Sequence, residues 1–253
     1  MKVVVLAQDG PSTWMLVNAL RREYSDLQVG IEEGESPYAM LRRRIRRKGV
    51  WTVFGQLLFI LAVRFLCRSG KSRGSQICAG AGLDPVQPHD VQVRRFTSAN
   101  TPECAEWMRT EQADVVVING TRILSGELLG SSKAVFLNIH CGITPAYRGV
   151  HGGYWALYRS DRENAGVTVH VVDTGIDTGD IVYQETIKVD EQDNFLTYPV
   201  KQYVAGVTLM KRALRDVAAG RLRTSARHDL ASAIWQHPTL WQYLGARWSR
   251  GVR

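Results

Sequence analysis

Short apolar runs alternate with amphipathic segments along most of this chain. The runs predict strands at residues 3–6, 27–31, 91–96, 114–119, 134–139, 167–172 and 181–189. Helical spacing of apolar residues predicts helices after the Gly10-Pro11 break, over residues 101–110 and over residues 195–219. Continuous apolar runs such as DVVVIN are typical of strands covered on both faces. We therefore expect an α/β fold with a Rossmann-like, mostly parallel sheet flanked by helices.

Residues 36–83 interrupt this alternation. The run 50–66 is the most apolar of the chain, but only about 14 residues precede Arg64, whereas a bilayer span needs roughly 20. The run predicts a helix buried against the sheet or a partner subunit. A basic stretch directly before an apolar helix is also typical of an anchor on anionic lipid, so peripheral membrane contact through residues 42–66 is the alternative. The Gly- and Ser-rich residues 70–82 predict a mobile loop.

The C-terminal segment carries tryptophans at helical spacing. Trp241, Leu244 and Trp248 share one face of a helix predicted after His237-Pro238. That face predicts docking on the core or a subunit interface, as in a homodimer, with stacking on a nucleotide base as the alternative. We divide the chain into a catalytic domain, residues 1–190, which carries the insertion 36–83, and a helical C-terminal extension, residues 191–253.

Composition limits the class of protein. With 253 residues, 45% of them apolar and 22% charged, the chain suits one compact domain, or one with a small appendage. Its four cysteines show no CxxC spacing, so we expect neither a metal site nor a disulfide framework. Reduced thiols and the lack of a secretory signal in MKVVVLAQDG predict a cytoplasmic location, with membrane-peripheral attachment as the variant.

The net charge of +8 is concentrated in one segment. Residues 36–83 hold ten of the 32 Lys and Arg residues and no Asp or Glu, so the other 22 face all 24 acidic residues. A nearly neutral remainder disfavours a nucleic-acid partner, because phosphate contacts need distributed cations.

Several common catalytic signatures are absent. The turn after the first predicted strand holds Gly10 alone where a nicotinamide dehydrogenase has GxGxxG. There is also no GxxxxGK[ST], GxSxG or HExxH motif, which excludes the simplest nucleotide hydrolase, esterase and zinc protease.

Polar residues gather where the last predicted parallel strand ends. Asn138 and His140 alternate with Ile139, so in an extended chain both polar side chains point the same way, into the crevice where open α/β sheets bind ligands. Asp173 and Asp177 lie in a turn between the next two strands. A carboxylate that orients an imidazole beside an amide donor is suited to acyl transfer.

Between residues 114 and 184 five motifs follow one another: Asn138-Ile139-His140, Pro145, Tyr147-Arg148-Gly149, Gly166-Val167-Thr168-Val169-His170 and Asp177-Thr178-Gly179-Asp180-Ile181. Together they resemble the folate-dependent formyltransferases, which include glycinamide ribonucleotide, methionyl-tRNA and nucleotide-sugar N-formyltransferases.

The resemblance implies a catalytic triad of Asn138, His140 and Asp177, and N10-formyltetrahydrofolate as the formyl donor. It also implies donor binding by Gly120, Thr121, Arg122, Ile123, Leu124 and Asp173, and substrate binding by Tyr147, Arg148 and His151. Asp173 equally suits a turn cap and Arg148 a loop anchor, while His170 is interpreted as structural. Cys141 has no second base to activate it as a nucleophile.

The leading hypothesis is N-formylation of a nucleotide-linked amino sugar, a small-molecule substrate of the kind used in bacterial surface polysaccharides. Another amine is the second hypothesis: methionyl-tRNA, glycinamide ribonucleotide or a hydroxylated ornithine. A non-catalytic, membrane-peripheral scaffold is the third. The chain departs from the family at Cys141-Gly142, where members often have Pro-Ser, and in the insertion before residue 84.

Overall fold

The computed structural model describes residues 1–253 and divides them into nine strands and nine α-helices. The strands are β1 (Val3–Gln8), β2 (Leu27–Glu32), β3 (Val93–Phe96), β4 (Val115–Asn119), β5 (Val135–His140), β6 (Arg148–Gly149), β7 (Gly166–Val171), β8 (Ile181–Thr186) and β9 (Ile234–Trp235). The helices are α1 (Pro11–Leu20), α2 (Pro37–Lys48), α3 (Val50–Leu66), α4 (Ser69–Gly80), α5 (Pro102–Glu111), α6 (Gly126–Gly130), α7 (Gly152–Tyr158), α8 (Tyr198–Ala218) and α9 (Leu240–Arg250).

Seven strands form one sheet in the order β3-β2-β1-β4-β5-β7-β8. The first five are parallel; at one edge β7 pairs antiparallel with β5, and β8 pairs antiparallel with β7. Strands β1 and β4 are buried almost throughout, because helices cover both faces of the sheet. This confirms the predicted α/β, mostly parallel, Rossmann-like sheet.

Helix α8 packs directly on the sheet rather than in an extension. Tyr203, Val207 and Met210 belong to the same apolar core as the central strands. Gly206 permits the close approach, since a Cβ there would collide with Ile139 of β5. The division at residue 190 therefore needs correction: the chain leaves the sheet core only after α8.

The prediction of a mobile loop over residues 70–82 is wrong, because most of that segment forms α4. Gly70, Gly74 and Cys78 recur at a spacing of four residues and are buried on one face. A Cβ at Gly70 would collide with Asn194, and a Cβ at Gly74 would lie 3.5 Å from Val200. Gly70, one of the small residues that suggested a loop, lets this helix pack closely against Asn194.

No single helix has the length and hydropathy of a membrane span, whereas α3 and α4 together meet those criteria across a bend of 73°. Helix α3 is half-covered: Val53, Phe59 and Val63 are buried, and the opposite face is exposed.

The segment after α8 returns to the domain. Strand β9 pairs in parallel with β6, and α9 packs through Tyr243 on Phe59 of α3. The predicted C-terminal helix is present, and the two-residue strand before it was not predicted.

Candidate active site

Strand β5 carries Asn138 and His140 to the edge of the sheet where the parallel strands end. The antiparallel return of β7 sets His170 opposite Asn138. The turn between β7 and β8 then brings Asp177 to the same place. The three residues of the predicted triad therefore lie together, and His170 lies with them.

His140 is buried between two hydrogen-bond acceptors. Its Nε2 lies 2.7 Å from the carbonyl oxygen of Tyr147, so Nε2 carries a proton and donates it. Its Nδ1 lies 3.3 Å from Oδ2 of Asp177. In the neutral ring Nδ1 therefore presents a lone pair to the Asp177 carboxylate. A proton added at Nδ1 would form a hydrogen bond between the two groups.

Burial lowers the pKa of His140, although Asp177 and the Tyr147 carbonyl oppose this shift. The ring is therefore neutral at neutral pH. Burial alone would raise the pKa of Asp177, but the interactions with His140 and His170 and the hydrogen bond from the Gly149 N–H lower it to about 2. The pair thus consists of a carboxylate and a neutral imidazole, and a proton can be accepted between Nδ1 of His140 and Oδ2 of Asp177.

The backbone around Asp177 is shaped for this contact. Gly149 donates its N–H to Oδ2 of Asp177 at 2.9 Å. Asp177 itself has a φ of 50°, in the left-handed region that aspartate tolerates better than most residues. The loop therefore holds the carboxylate in one position relative to His140.

Asn138 is oriented by His170. Nδ1 of His170 lies 2.8 Å from the carbonyl oxygen of Val171 and so carries the proton. Nε2 then accepts from Nδ2 of Asn138 at 3.1 Å. This fixes the amide and leaves its second N–H free to donate to a ligand. His170, interpreted from the sequence as structural, is placed to position Asn138.

These side chains line a cavity of about 780 Å³. All six residues predicted to bind the donor also line it: Gly120, Thr121, Arg122, Ile123, Leu124 and Asp173. Apolar side chains such as Ile118, Val172 and Ile176 complete much of the wall. Cavities of this size and composition accept a ligand as large as a cofactor.

Hydrogen bonds to neighbouring segments hold the loop 120–124 in place. Glu32, a buried carboxylate, accepts the Arg122 N–H at 2.8 Å, and the Arg122 guanidinium donates to carbonyl oxygens of Glu33 and Thr97. The side chain of Arg122 therefore anchors the loop. The Leu124 N–H and the Arg122 carbonyl make no hydrogen bond within the chain, so they are free to pair with a ligand.

Asp173 acts in the loop that carries Asp177. Its Oδ1 accepts from the Gly175 N–H at 2.9 Å and from the Thr178 hydroxyl at 2.8 Å. These contacts agree with the interpretation of Asp173 as a turn cap. The residue also lines the cavity, as a donor-binding residue would.

The predicted substrate residues are placed differently from one another. The Tyr147 side chain is buried away from the cavity and donates to Asp161 at 2.6 Å, so its assignment to substrate binding needs correction: its carbonyl serves His140 instead. His151 lies outside the cavity wall as well, with Nε2 2.9 Å from Nδ1 of His237. Arg148 directly precedes Gly149, and its buried Nε has no partner.

Sequence reasoning missed two residues that this geometry requires. A Cβ at Gly142 would collide with the Tyr147 carbonyl and with Nε2 of His140, so glycine is needed for their hydrogen bond. Glu32 ends β2 and is buried, but Glu33 and Glu35 follow it closely, so the sequence does not distinguish it from these less buried neighbours. Cys141 lines the cavity, and burial raises the pKa of its thiol to about 12, which opposes a nucleophilic role.

A sequence profile described as formyl transferase matches residues 67–214. The methionyl-tRNA formyltransferase of Caldanaerobacter subterraneus subsp. tengcongensis is 27% identical over 149 residues, which are 58% of this chain and 46% of that protein. The methionyl-tRNA formyltransferase of Synechococcus elongatus is 29% identical over 161 residues, 63% of this chain and 49% of that protein. The chain spans about half the length of the curated relatives it matches.

Solved structures share the fold. A sugar N-formyltransferase from Shewanella sp FDAARGOS_354 superposes with a TM-score of 0.58 at 15% identity, covering 93% of this chain and 76% of that one. The N-formyltransferase from Helicobacter canadensis, in complex with folinic acid and dTDP-3-aminofucose, gives 0.57 at 14% identity, covering 93% and 71%. Glycinamide ribonucleotide transformylase 1 from Symbiobacterium toebii gives 0.57 at 20% identity, covering 93% and 95%.

Proposed function

The chain belongs to the formyl transferase family, and from this we propose that it moves a formyl group from N10-formyltetrahydrofolate to the amine of a nucleotide-linked amino sugar. One observation carries the proposal: Asn138, His140 and Asp177 meet in the cavity that is also lined by the loop 120–124. These side chains support the reaction class, and Arg148 supports a phosphorylated substrate.

The residues of the cavity suit a folate. Its apolar wall fits a flat ring, and the free backbone groups of Arg122 and Leu124 fit the alternating donors and acceptors of a pterin. When bound, the donor supplies an activated carbonyl carbon. The loop 120–124 would hold the ring, and the loop 173–177 would lie beside it.

Asn138 stabilises the charge that develops during transfer. A new bond forms between the amine nitrogen and the formyl carbon, the bond from that carbon to the folate N10 breaks, and negative charge grows on the carbonyl oxygen. The free N–H of Asn138 donates to that oxygen, and its orientation is already fixed by His170.

His140 and Asp177 move the proton. The attacking amine must lose one proton, and the departing folate nitrogen must gain one. The lone pair on Nδ1 of His140 accepts the first, directly or through water, and the Asp177 carboxylate stabilises the resulting imidazolium. Returning that proton to the leaving nitrogen restores the neutral ring.

Arg148 supports a phosphorylated substrate. Its Nε is buried without a partner next to Gly149, which lines the cavity. A guanidinium with free donors is suited to a diphosphate. The nucleotide-linked sugar of the proposal places such a diphosphate a few bonds from the reacting amine.

The test is an assay of the whole chain with N10-formyltetrahydrofolate and a panel of amino-sugar nucleotides, with formamide products detected by mass spectrometry. We expect one or more sugars to be formylated, and Asn138→Ala to form the product about 100- to 1,000-fold more slowly while still binding folate. No formamide with any amine would overturn the proposal and leave a non-catalytic scaffold.

Methionyl-tRNA is the second candidate, because the curated relatives reported above are methionyl-tRNA formyltransferases. The chain outside residues 36–83 carries 22 basic against 24 acidic residues, which gives a tRNA few distributed contacts. Adding methionyl-tRNA and glycinamide ribonucleotide to the same panel separates the candidates, since only the true acceptor gives a high kcat/KM.

A further inference from the structure

Helix α3 exposes a long apolar face. Trp51 is 79% exposed and Phe65 is 75% exposed, far more than large apolar residues of a closed core. The helix has 17 residues and is therefore about 25 Å long. The exposed apolar residues recur at helical spacing along its whole length: Val50, Trp51, Phe54, Leu57, Leu61 and Phe65.

The opposite face of α3 holds it to the protein. Phe59 packs on Phe195 and Tyr243 at centroid distances of 4.8 and 5.1 Å. Trp241 of α9 lies over Gly55, at the edge of the exposed face, and is itself half exposed. Trp248, seven residues after Trp241 on α9, is 93% exposed. The apolar face is thus held to the protein through Phe59, and Trp241 extends it onto α9.

Unpaired cations adjoin this face. Of the ten basic residues in 36–83, Arg43 pairs with Glu35 and Arg73 with Asp190 and Asp193. The other eight make no ion pair, and the segment has no acidic residue to supply one. Five of the eight lie on α2, which ends one residue before α3 begins and has no buried residue: Arg42, Arg44, Arg46, Arg47 and Lys48.

We propose that α2 and α3 form a docking surface for an anionic membrane, with α3 lying in the plane of the interface. The apolar face of α3 enters the boundary between headgroups and acyl chains, and Trp51 and Trp241 lie at the depth that tryptophan prefers. The cations of α2 contact anionic headgroups. The buried half of α3 stays on the protein, so the helix lies on the bilayer and does not cross it.

Charge argues against a second copy of the chain as the occupant. A two-fold dimer pairs a surface with itself, so it would bring two sets of unpaired arginines together with no carboxylate between them. A nucleic acid would satisfy the cations but would leave the six large apolar side chains of α3 without a partner. An anionic bilayer satisfies both halves of the surface.

This surface would place the cavity close to the membrane. Helix α4 follows α3 directly and packs on residues of the cavity wall: Cys78 contacts Met15 at 3.6 Å, and Gly74 faces Val200. One helix therefore separates the membrane surface from the cavity, which holds the cavity close to the bilayer.

The test is co-sedimentation of the whole chain with vesicles of phosphatidylcholine alone or mixed with phosphatidylglycerol. We expect binding to the mixed vesicles, weakened by salt. The triple variant Arg42→Ala, Arg46→Ala, Arg47→Ala should bind about a hundredfold more weakly, at about fivefold for each cation removed. The matched control is Arg22→Ala, Lys133→Ala, Arg223→Ala, which removes three exposed, unpaired cations elsewhere and should retain binding.

The apolar half has its own variants. Trp51→Ser and Leu61→Ser replace exposed side chains, so folding is preserved, and each should weaken binding on the order of tenfold. Val86→Ser, an exposed aliphatic residue outside the surface, should have no effect. Equal binding to both kinds of vesicle, or equal losses in the control triple, would overturn the proposal. So would a lipid-free dimer that Trp51→Ser dissociates, or tRNA binding that depends on the same arginines.

Discussion

A single amide governs the charge on the reacting carbonyl in the proposed reaction. Asn138 has one N–H committed to His170 and one free. Replacing it with alanine removes the free donor while leaving the walls of the cavity in place. We expect Asn138→Ala to lower kcat by about 100- to 1,000-fold, as is typical for one oxyanion donor.

Equilibrium dialysis with a reduced folate provides the control for this variant, since folate affinity should change little. A variant that kept its kcat would show that the amide of Asn138 does not face the developing charge.

The partnership of His140 and Asp177 predicts a shift in the pH profile. Asp177 favours the protonated ring, and so it raises the pKa of His140 against the larger effect of burial. Asp177→Asn removes that charge, and the pKa of His140 should fall further. The acidic limb of kcat/KM, where His140 becomes protonated and loses its accepting lone pair, should therefore move to lower pH while kcat falls.

A pH series on wild type and Asp177→Asn measures both effects. A limb that stayed in place, or moved to higher pH, would mean that some group other than His140 accepts the proton.

Gly142 lies in a loop, yet we expect its substitution to lower both stability and activity. A Cβ there meets a backbone carbonyl and the buried ring of His140, neither of which can yield easily. Overpacking of this kind costs about 1–3 kcal/mol, so Gly142→Ala should lower both the free energy of unfolding and kcat. Gly80→Ala, at the end of α4 with open space around its Cβ, should leave both unchanged or slightly raise stability.

At the scale of elements, local patterns predicted most strands because buried parallel strands are short continuous apolar runs. The pattern on β5 also predicted that Asn138 and His140 would reach one crevice. The role of His170 was not predictable in this way, because it depends on the antiparallel register that sets β7 against β5. Register between distant segments is a tertiary property, and no window of sequence contains it.

Helix α4 shows the opposite failure. Gly and Ser usually mark loops, because they lack helix propensity. Here Gly70 packs against Asn194 at a distance that leaves no room for a Cβ, and the segment is helical despite its composition. Only the partner surface, unknown from the sequence, distinguishes the two outcomes.

Helix α9 begins with a capping box, which predicts a measurable contribution to stability. The Thr239 hydroxyl accepts from the Gln242 N–H, and the Gln242 side chain accepts from the Thr239 N–H. Thr239→Ala should lower the free energy of unfolding by about 1 kcal/mol. Thr208→Ala, at an exposed position inside α8, should cost nothing, because alanine is the better helix former. Urea titration of both variants tests the difference.

At the scale of the whole molecule, the C-terminal segment closes over the loop that carries Arg148. Trp235 donates its indole N–H to the Ala146 carbonyl, and Trp155 donates to the Gln236 carbonyl, both at 2.8 Å. The predicted docking face of Trp241, Leu244 and Trp248 is exposed on this chain, and α9 packs on the core through Tyr243 and Ala246 instead. The carbonyl partners of Trp155 and Trp235 could not be predicted, because they lie 81 and 89 residues away along the chain. Together with the pairing of β9 and β6, the segment thereby fixes the backbone of Arg148 and of Gly149, which lines the cavity.

The same closure partly buries a pair of histidines, His151 and His237. Nε2 of His151 lies 2.9 Å from Nδ1 of His237, a distance that suits one donor and one acceptor. Burial, with the neighbouring His237, lowers the pKa of His151 to about 3; burial, with the nearby Arg44, lowers the pKa of His237 to about 4.

This pair predicts that the protein loses stability in mild acid. Below the ordinary histidine pKa of 6.5, the unfolded chain takes up protons that the folded pair resists, so the free energy of unfolding falls as the pH drops toward 4 and is unaffected above 6.5. The loss is about 1.4 kcal/mol per histidine for each pH unit. The double variant His151→Asn, His237→Gln has neutral amides in place of the rings, so its urea midpoint should fall less between pH 7 and pH 5 than that of wild type. His228→Gln, which removes an exposed histidine, should keep the wild-type slope. An unchanged slope in the double variant would place the acid-sensitive contact elsewhere, with the buried His140 as the next group to examine.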